Sequence, residues 1–217
     1  MTSHILDLLD FDSSYNCPII GTDEAGRGSG VGAVFAAAVY FPLKNEALIE
    51  KLSLLNDSKQ LSKKHREELY EIIKTETINC VTPISAEEIE EINILNASLK
   101  AMRISVNTVA KEINDKNITI LVDGNKLIPS MNLKQEYVIK GDSKSASIAA
   151  ASILAKVERD RYVAELSKKY PLYEWDKNMG YLTKNHLAAI DKYGITPFHR
   201  KSYLQKHFAK QEQLALF

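Results

Sequence analysis

The sequence has few of the residues that hold small secreted or zinc-binding proteins together. Its 217 residues include only two cysteines, Cys17 and Cys80, and their separation fits no zinc-binding pattern. We therefore expect two buried free thiols rather than a disulfide framework. Nine glycines and six prolines, with 45% hydrophobic and 26% charged residues, exclude collagenous, low-complexity and largely disordered classes.

Long hydrophobic runs are also absent. The most apolar stretch, residues 32–42, is well short of the roughly 18 residues that indicate a membrane-spanning helix. The first twelve residues carry acids rather than the basic residues of a leader peptide. We expect a cytoplasmic protein without membrane association.

The net charge of zero conceals an asymmetry along the chain. Residues 1–139 contain 14 Lys and Arg against 20 Asp and Glu, whereas residues 140–210 contain 14 against 7. A basic C-terminal third beside a more acidic remainder fits a surface that faces a polyanion next to a site that needs carboxylates. Ordinary solvated helix faces are the alternative explanation.

Short apolar runs alternate with helical patterns, which indicates an α/β layer fold. The first two runs are expected to form a hairpin, and a helical stripe over residues 86–114 shows a possible break near Asn93. The predicted strands cover residues 17–22, 33–41, 80–84, 118–122 and 137–140. Further helices are predicted from Ser62 onward and over residues 143–169, 182–192 and 202–210.

Acidic residues lie at the ends of predicted strands. Asp23 and Glu24 end the first strand, Asp123 ends a later one, and Asp142 precedes the longest helix. Active sites of open α/β sheets gather at such carboxyl ends. Clustered carboxylates repel one another unless cations neutralise them, and Mg²⁺ or Mn²⁺ takes oxygen ligands. Two such ions would activate a water and stabilise the leaving oxygen of a phosphodiester. The alternative is that each acid caps a helix or a turn.

A glycine-rich loop follows the first pair of acids. Gly26, Arg27 and Gly28 lie within it, and glycine backbone can approach a phosphate closely while the arginine adds charge. The loop matches neither the phosphate-loop nor the dinucleotide-binding fingerprint, and a plain tight turn is the alternative.

Five segments together resemble bacterial ribonuclease HII. They occur in the family's order and span residues 21 to about 203, nearly the whole chain. The segments are GTDEAGRG at 21–28, NDSKQLS at 56–62, VDGN at 122–125, KGD at 140–142 with SIAAASILAKV at 147–157, and Gly180-Tyr181 with Thr183 and His186.

The resemblance implies a fold and a division of the chain. The fold would be a ribonuclease-H-like mixed five-stranded sheet flanked by helices, with a small helical C-terminal element. Residues 1–170 would form the catalytic domain, residues 171–210 a helical substrate-binding element, and residues 211–217 a flexible tail. We expect a monomer.

The resemblance also implies an activity. The enzyme would hydrolyse the RNA strand of RNA/DNA hybrids and nick 5′ of single ribonucleotides embedded in duplex DNA, leaving 5′-phosphate and 3′-hydroxyl ends. Its roles would be ribonucleotide excision and RNA primer removal. Asp23, Glu24, Asp123 and Asp142 match the family's catalytic acids, which bind two Mg²⁺ or Mn²⁺ ions.

Substrate-binding residues follow from the same resemblance. Residues 26–28 match the motif that grips the ribonucleotide through its 2′-hydroxyl, the group that distinguishes RNA from DNA. Tyr181 matches a tyrosine that stacks on the deoxyribose after the junction, with a core aromatic as the alternative. Lys59, Lys144 and Arg200 are predicted backbone contacts, with ordinary surface positions as the alternative.

Some features depart from the family pattern or fall outside it. Residues 29–33 read SGVGA where the family usually has a Pro and later a Gly-Pro pair, which puts the rigidity of the loop in doubt. Ribonuclease HIII is disfavoured because it has a long N-terminal extension, lacks the Gly-Arg-Gly triplet and usually has Glu as the fourth acid. His186 and His199 show no paired ligand spacing, and we interpret them as support for the fold, with contact to the substrate as the alternative.

The chain ends in a peptide that resembles the ligand of the bacterial sliding clamp. Gln213 would supply hydrogen bonds, and Leu214, Leu216 and Phe217 would supply apolar contacts in a hydrophobic groove. The alternative is that these side chains pack back on the last helix.

Two other functions remain open. One is a nuclease of the same broad fold that needs no ribose recognition. The other is a catalytically silent module that positions hybrids for partners.

Overall fold

The computed structural model describes residues 2–41, 46–55, 58, 61–113 and 115–214. Five strands are formed in this part of the chain: β1 (Ile19–Ala25), β2 (Val34–Tyr40), β3 (Ile78–Ile84), β4 (Thr119–Asp123) and β5 (Lys134–Val138). The helices before β4 are α1 (Thr2–Ser13), α2 (Glu46–Lys51), α3 (Lys63–Glu76), α4 (Ala86–Ile92) and α5 (Ile94–Ile113). Those after β5 are α6 (Ala146–Lys169), α7 (Trp175–Asn178), α8 (Lys184–Tyr193) and α9 (Lys201–Leu214).

The five strands form one mixed sheet in the order β3-β2-β1-β4-β5. β1 and β2 form the predicted antiparallel hairpin and β3 continues it, whereas β4 and β5 run parallel to β1. The parallel strands therefore present their carboxyl ends at the same edge of the sheet, as the sequence predicts.

Helices cover both faces of the sheet. On one face, α6 packs in a core with α1 and α3, and on the other face α5 packs against the central strands. α6 approaches β1 so closely that a side chain at Gly21 would lie 2.2 Å from the backbone carbon of Ser147. Ser145 caps the start of this helix, and its hydroxyl accepts a hydrogen bond from the Ile148 N–H. Glycine at position 21 thus allows the first turns of α6 to lie directly on the strand that carries the acids.

A separate apolar cluster holds the C-terminal helices together. The fully buried Trp175 lies in this cluster with residues of α6, α8 and α9, and Val31 joins it from the glycine-rich loop region. The C-terminal element is therefore packed against the segment that follows the first pair of acids.

Several sequence predictions are confirmed or corrected. The break at Asn93 is confirmed, since this residue has φ +63° between α4 and α5. The strand predicted at 137–140 is displaced: β5 spans Lys134–Val138, and Lys140 adopts a left-handed turn with φ +55°. The long helix begins three residues later than predicted because residues 141–143 form a short 3₁₀ turn.

Other differences lie near the termini. α1 and α2 were not predicted, and α9 continues to Leu214, so the chain is still helical where the flexible tail was expected from residue 211. Cys17 and Cys80 are half-buried rather than buried. In the described part of the chain, no helix combines the length and the apolar character needed to cross a bilayer.

Candidate active site

The pairing of β1 with β4 aligns two of the predicted acids. Thr22 pairs with Val122 in parallel register, so Asp23 and Asp123 occupy the next position on neighbouring strands. Gly21, two residues before Asp23, faces α6, and Leu121, two residues before Asp123, packs with Ile148 of α6. Because alternate residues of a strand share a face, both aspartates lie on the α6 side of the sheet edge.

Glu24 lies on the opposite side of the same edge. Its side chain lines a cleft of about 140 Å³ together with Asp123 and residues of α5. Arg27 Nη1 lies 3.1 Å from Glu24 Oε1, so the loop arginine pairs with this acid. Ser98 of α5 also lines the cleft, and its buried hydroxyl has no hydrogen-bond partner among the described residues.

Asp142 is held beside Asp123 by its neighbour in the chain. The Gly141 N–H donates to Asp123 Oδ1 over 2.7 Å, which ties the 3₁₀ turn to the end of β4. A side chain at Gly141 would lie 2.5 Å from Ile148 Cδ1 and 3.2 Å from Asp123 Oδ1, so glycine lets this turn pack closely against both residues. Asp142 itself is buried. The structure thus brings all four predicted acids to one edge of the sheet.

The charges at this edge oppose one another. Asp23 is only 6% exposed, and its Oδ1 accepts the Glu24 N–H over 2.7 Å. Burial raises the pKa of Asp23 well above its usual value, and the charges of Glu24 and then Asp123 raise it further, against smaller lowering by hydrogen bonds from Glu24 and Ser152. Ionising Asp23 is therefore unfavourable in the protein alone.

A divalent cation fits this donor set. Carboxylate oxygens are the ligands that Mg²⁺ and Mn²⁺ prefer, and a cation would offset the repulsion that raises the pKa of Asp23. As the side chains stand, no three acids, histidines or cysteines in the described residues are close enough to form a metal-binding cluster. Asp23 and Asp123 instead use one oxygen each to accept a backbone N–H.

The glycine-rich loop meets the C-terminal element next to these acids. Gly26 has φ +97°, and a side chain there would lie 3.2 Å from the Ala33 carbonyl oxygen. A side chain at Gly28 would lie 3.4 Å from the ring of Tyr181. The Arg27 side chain is about half exposed. The loop therefore presents backbone and one arginine beside an aromatic ring.

Comparison with known proteins identifies the family. The family model described as Ribonuclease HII matches residues 20–210. The chain belongs to the ribonuclease HII family. It is similar to Ribonuclease HII of Pelagibacter ubique, with 49% identity over 85% of this chain and 95% of the relative. It is also similar to Ribonuclease HII of Caldanaerobacter subterraneus subsp. tengcongensis, with 50% identity over 87% of this chain and 74% of the relative.

Solved structures agree with this assignment. The chain is similar to a chain of the PCNA:RNase HII complex from Archaeoglobus fulgidus, with a TM-score of 0.66, 25% identity, and coverage of 84% of this chain and 93% of that one. Ribonuclease H2 from Pyrococcus horikoshii gives a TM-score of 0.66 and 26% identity over 85% and 93% of the two chains. The predicted ribonuclease-H-like fold is confirmed. The protein is an endoribonuclease of the ribonuclease H type, and its family acts on RNA/DNA hybrids.

The predicted role of Arg200 in the ribonuclease HII fold is wrong. This arginine is completely buried and cannot contact a nucleic-acid backbone. Its Nε donates to the Gly32 carbonyl oxygen over 3.0 Å, and its Nη1 donates to the carbonyl oxygens of Gly26 and Arg27 over 2.9 and 3.1 Å. Arg200 therefore holds the glycine-rich loop from beneath.

The other residues predicted to contact the substrate or the sliding clamp are Tyr181, two lysines and the C-terminal peptide. Tyr181 is 47% exposed, which excludes the alternative of a core aromatic. Lys144 is exposed directly after the turn that carries Asp142, whereas Lys59 lies outside the described residues. Gln213 is exposed on α9 and Leu214 ends that helix, but Leu216 and Phe217 lie outside the described residues.

Two charged residues near the site were not predicted. Arg159 of α6 is 1% exposed, donates from Nη2 to the Met179 carbonyl oxygen, and lies 5.8 Å from the centre of the Tyr181 ring. Asp12 of α1 accepts hydrogen bonds from the N–H and the hydroxyl of Ser147, over 2.9 and 2.7 Å, at the start of α6. The signal for each was a charged residue at helical spacing within an apolar stripe.

Proposed function

We propose that the four acids form a divalent-metal centre that cleaves the RNA strand of RNA/DNA hybrids and nicks duplex DNA 5′ of a single ribonucleotide. The supporting observation is the alignment of Asp23 with Asp123 on neighbouring strands, where burial and like charge raise the pKa of Asp23. When bound, two Mg²⁺ or Mn²⁺ ions supply an activated water and stabilise the leaving oxygen, giving 5′-phosphate and 3′-hydroxyl ends.

The chain's own residues position the acids for this reaction. The Glu24 N–H orients Asp23, and the Gly141 N–H orients Asp123 while it brings the Asp142 turn alongside. Arg27 pairs with Glu24 at the boundary between the acids and the loop. Asp23, Asp123 and Glu24 are therefore each held by a backbone donor or a charge before substrate arrives, which lowers the cost of assembling the site.

Ribonucleotide recognition is assigned to the other side of the site. Backbone groups of Gly26 to Gly28 contact the ribose 2′-hydroxyl and the phosphate, and the exposed ring of Tyr181 stacks on the following deoxyribose. The support is their proximity, since only 3.4 Å separates a side chain built at Gly28 from the Tyr181 ring. We further propose that the enzyme acts in the cytoplasm, in ribonucleotide excision and RNA primer removal.

The C-terminal peptide is assigned to a sliding clamp. The Archaeoglobus fulgidus chain with the same fold forms a complex with PCNA. In this chain, Gln213 is exposed at the end of α9, so residues 213–217 begin on an accessible surface. If removing residues 213–217 leaves binding to the bacterial sliding clamp unchanged, this assignment is wrong.

The test of the proposed activity uses a labelled DNA duplex that contains one ribonucleotide. An all-DNA duplex and a long RNA/DNA hybrid serve as controls, each with Mg²⁺, Mn²⁺ or chelator. We expect a metal-dependent cut 5′ of the ribonucleotide and none in the all-DNA duplex. Cleavage of the all-DNA duplex would favour a nuclease without ribose recognition, and tight binding without cleavage would favour a silent binding module.

A further inference from the structure

A chain of buried side-chain hydrogen bonds runs through the C-terminal element and ends at Tyr181. Trp175 Nε1 donates to His186 Nε2 over 2.9 Å, and His199 Nε2 lies 3.1 Å from the same atom. On its other side, His186 Nδ1 lies 2.9 Å from the Tyr181 carbonyl oxygen. All three rings are at most 2% exposed.

The fixed donors at the ends of this chain allow only one arrangement of protons. The Thr196 N–H can only donate, so His199 Nδ1 accepts it over 2.8 Å and a neutral His199 carries its proton on Nε2. Trp175 can also only donate, so His186 Nε2 is an acceptor and its proton lies on Nδ1. Both imidazoles are then neutral, and His186 Nε2 accepts from both Trp175 Nε1 and His199 Nε2.

The same element also holds the glycine-rich loop. The Gly30 N–H donates to the Gly180 carbonyl oxygen over 3.0 Å, and the Gly32 N–H donates to the Phe198 carbonyl oxygen over 2.8 Å. The backbone of residues 30–32 is therefore bonded both to the residue before Tyr181 and to the residue before His199. The histidine pair links these two attachment points from inside.

We propose that His186 and His199 are positioning residues for substrate recognition: their neutral, hydrogen-bonded pair holds the Tyr181 backbone so that its exposed ring stands over the Gly28 side of the loop. The proposal rests on the proposed contact between Tyr181 and the substrate. His186 Nδ1–H bonds the Tyr181 carbonyl, and the remaining bonds of the pair hold the His186 ring in the orientation that this donor needs.

Two substitutions of His186 separate positioning from stability. The amide of Gln occupies the place of Nε2, so His186→Gln keeps an acceptor for Trp175 and His199 and loses the donor to Tyr181. The shorter Asn places its amide near Nδ1, so His186→Asn keeps that donor and leaves two buried donors without an acceptor. Because unsatisfied buried donors are costly, His186→Asn should be the less stable variant.

If His186 positions Tyr181, the less stable variant, His186→Asn, should bind substrate better than His186→Gln. His186→Gln should raise KM for the single-ribonucleotide duplex about five- to ten-fold with kcat nearly unchanged, the effect expected from one lost hydrogen bond. His186→Asn keeps the donor to Tyr181 but loses the bonds that orient it, so it should raise KM by less than His186→Gln does, despite its lower Tm. If KM instead follows Tm, with His186→Asn the worse variant, the pair is merely structural and the proposal is overturned.

A measurement that does not depend on activity distinguishes the positioning role of His186 from the substrate contact proposed for Tyr181. Hydrogen exchange across residues 180–183 should accelerate more in His186→Gln than in His186→Asn. Equal exchange in both variants would overturn the positioning role. Faster exchange in His186→Gln without a change in KM would support the tether and contradict the substrate contact assigned to Tyr181.

The unsubstituted protein allows a test without mutation. Long-range ¹H–¹⁵N correlation spectra at neutral pH should show the Nδ1–H tautomer for His186 and the Nε2–H tautomer for His199. The reverse tautomers, or a charged imidazole at either position, would overturn the hydrogen-bond chain on which the proposal depends.

Discussion

The acidic edge of the sheet and the C-terminal element meet at the glycine-rich loop. The polar groups of the edge repel one another, whereas those of the C-terminal element are joined by hydrogen bonds. At the edge, Asp23 is buried beside two other carboxylates that raise its pKa. In the C-terminal element, each ring N–H of Trp175, His186 and His199 donates to an acceptor.

This difference indicates that catalysis and substrate recognition depend on separate parts of the molecule. Like charges packed together are unstable unless a cation neutralises them, so the acidic edge needs a bound cation to be stable when it is ionised. The buried hydrogen-bond network of the C-terminal element needs no ligand, and it fixes the shape of the surface around Tyr181. Substitutions at the edge should therefore affect turnover more than stability, and those in the C-terminal element should affect both.

The largest expected effect is at the acidic edge. Asp123→Asn removes a proposed metal ligand worth several kcal/mol, so turnover should fall on the order of 10³-fold or more. Because the change also removes a charge that repels Asp23, Tm should stay the same or rise. Cleavage assays and thermal unfolding check both results, and near-normal turnover would contradict the site assignment.

The glycine-rich loop gives the next largest effect. Gly26 and Gly194 have positive φ angles of +97° and +80°, so alanine at either position should be strained and cost about 1–3 kcal/mol of stability. Only Gly26→Ala also presses on the Ala33 carbonyl, and cleavage should fall only in that variant. Equal activity in the two variants would show that the loop backbone does not contact the substrate.

Tyr181 and Tyr193 allow a matched comparison at the two ends of α8. They are 47% and 45% exposed, so alanine should affect stability similarly at both positions. Stacking of an aromatic ring on a nucleic-acid base is worth about 1–3 kcal/mol, and contact with a deoxyribose should lie near the lower end of that range, so Tyr181→Ala should raise KM for the single-ribonucleotide duplex about ten-fold. Tyr193→Ala should leave KM unchanged, and a similar rise in both variants would refute the stacking assignment.

The pH dependence of stability should have opposite signs in the two regions. Burial, with a smaller contribution from His186, lowers the pKa of His199 to about 4, against about 6.5 when unfolded. The unfolded chain therefore gains protons first, and the contribution of His199 is complete above pH 6.5 and is lost toward pH 4. The loss is about 3 kcal/mol, since one pKa unit corresponds to about 1.4 kcal/mol.

The pKa of Asp23 is raised instead, so its contribution in the metal-free protein is complete below the unfolded pKa and is lost as pH rises through the folded value. Urea unfolding between pH 4 and 7 in chelator measures both regions. As the pH falls, the parent should lose its stability advantage over His199→Gln. Over the same range, the parent should gain stability relative to Asp23→Asn. Parallel shifts for the two variants would contradict the comparison.

The sequence predicts the acidic edge better than it predicts the C-terminal element. Strand patterns followed by acids locate Asp23 and Asp123, because local alternation and parallel pairing determine where strand ends meet. β5 was misplaced because it is a polar edge strand with weak alternation. α1 was overlooked although Ile5, Leu8 and Leu9 recur at helical spacing.

Arg200 shows what a local pattern does not contain. Nothing near it in the sequence indicates that its guanidinium is enclosed by three carbonyl oxygens of the loop, 168 to 174 residues away along the chain. The pairing of His186 with His199 likewise depends on how α8 and the segment before α9 pack around Trp175. Such contacts are set by tertiary packing rather than by periodicity.

The most direct test of the account is the binding of Mn²⁺ to the intact protein, followed by electron paramagnetic resonance with an uncleavable single-ribonucleotide duplex present. We predict two bound ions per chain, affinity that increases with pH because Asp23 must lose its proton, and loss of binding in Asp123→Asn. Unchanged Mn²⁺ binding in Asp123→Asn, or binding that is independent of pH, would contradict the assignment of the metal centre to the acidic edge.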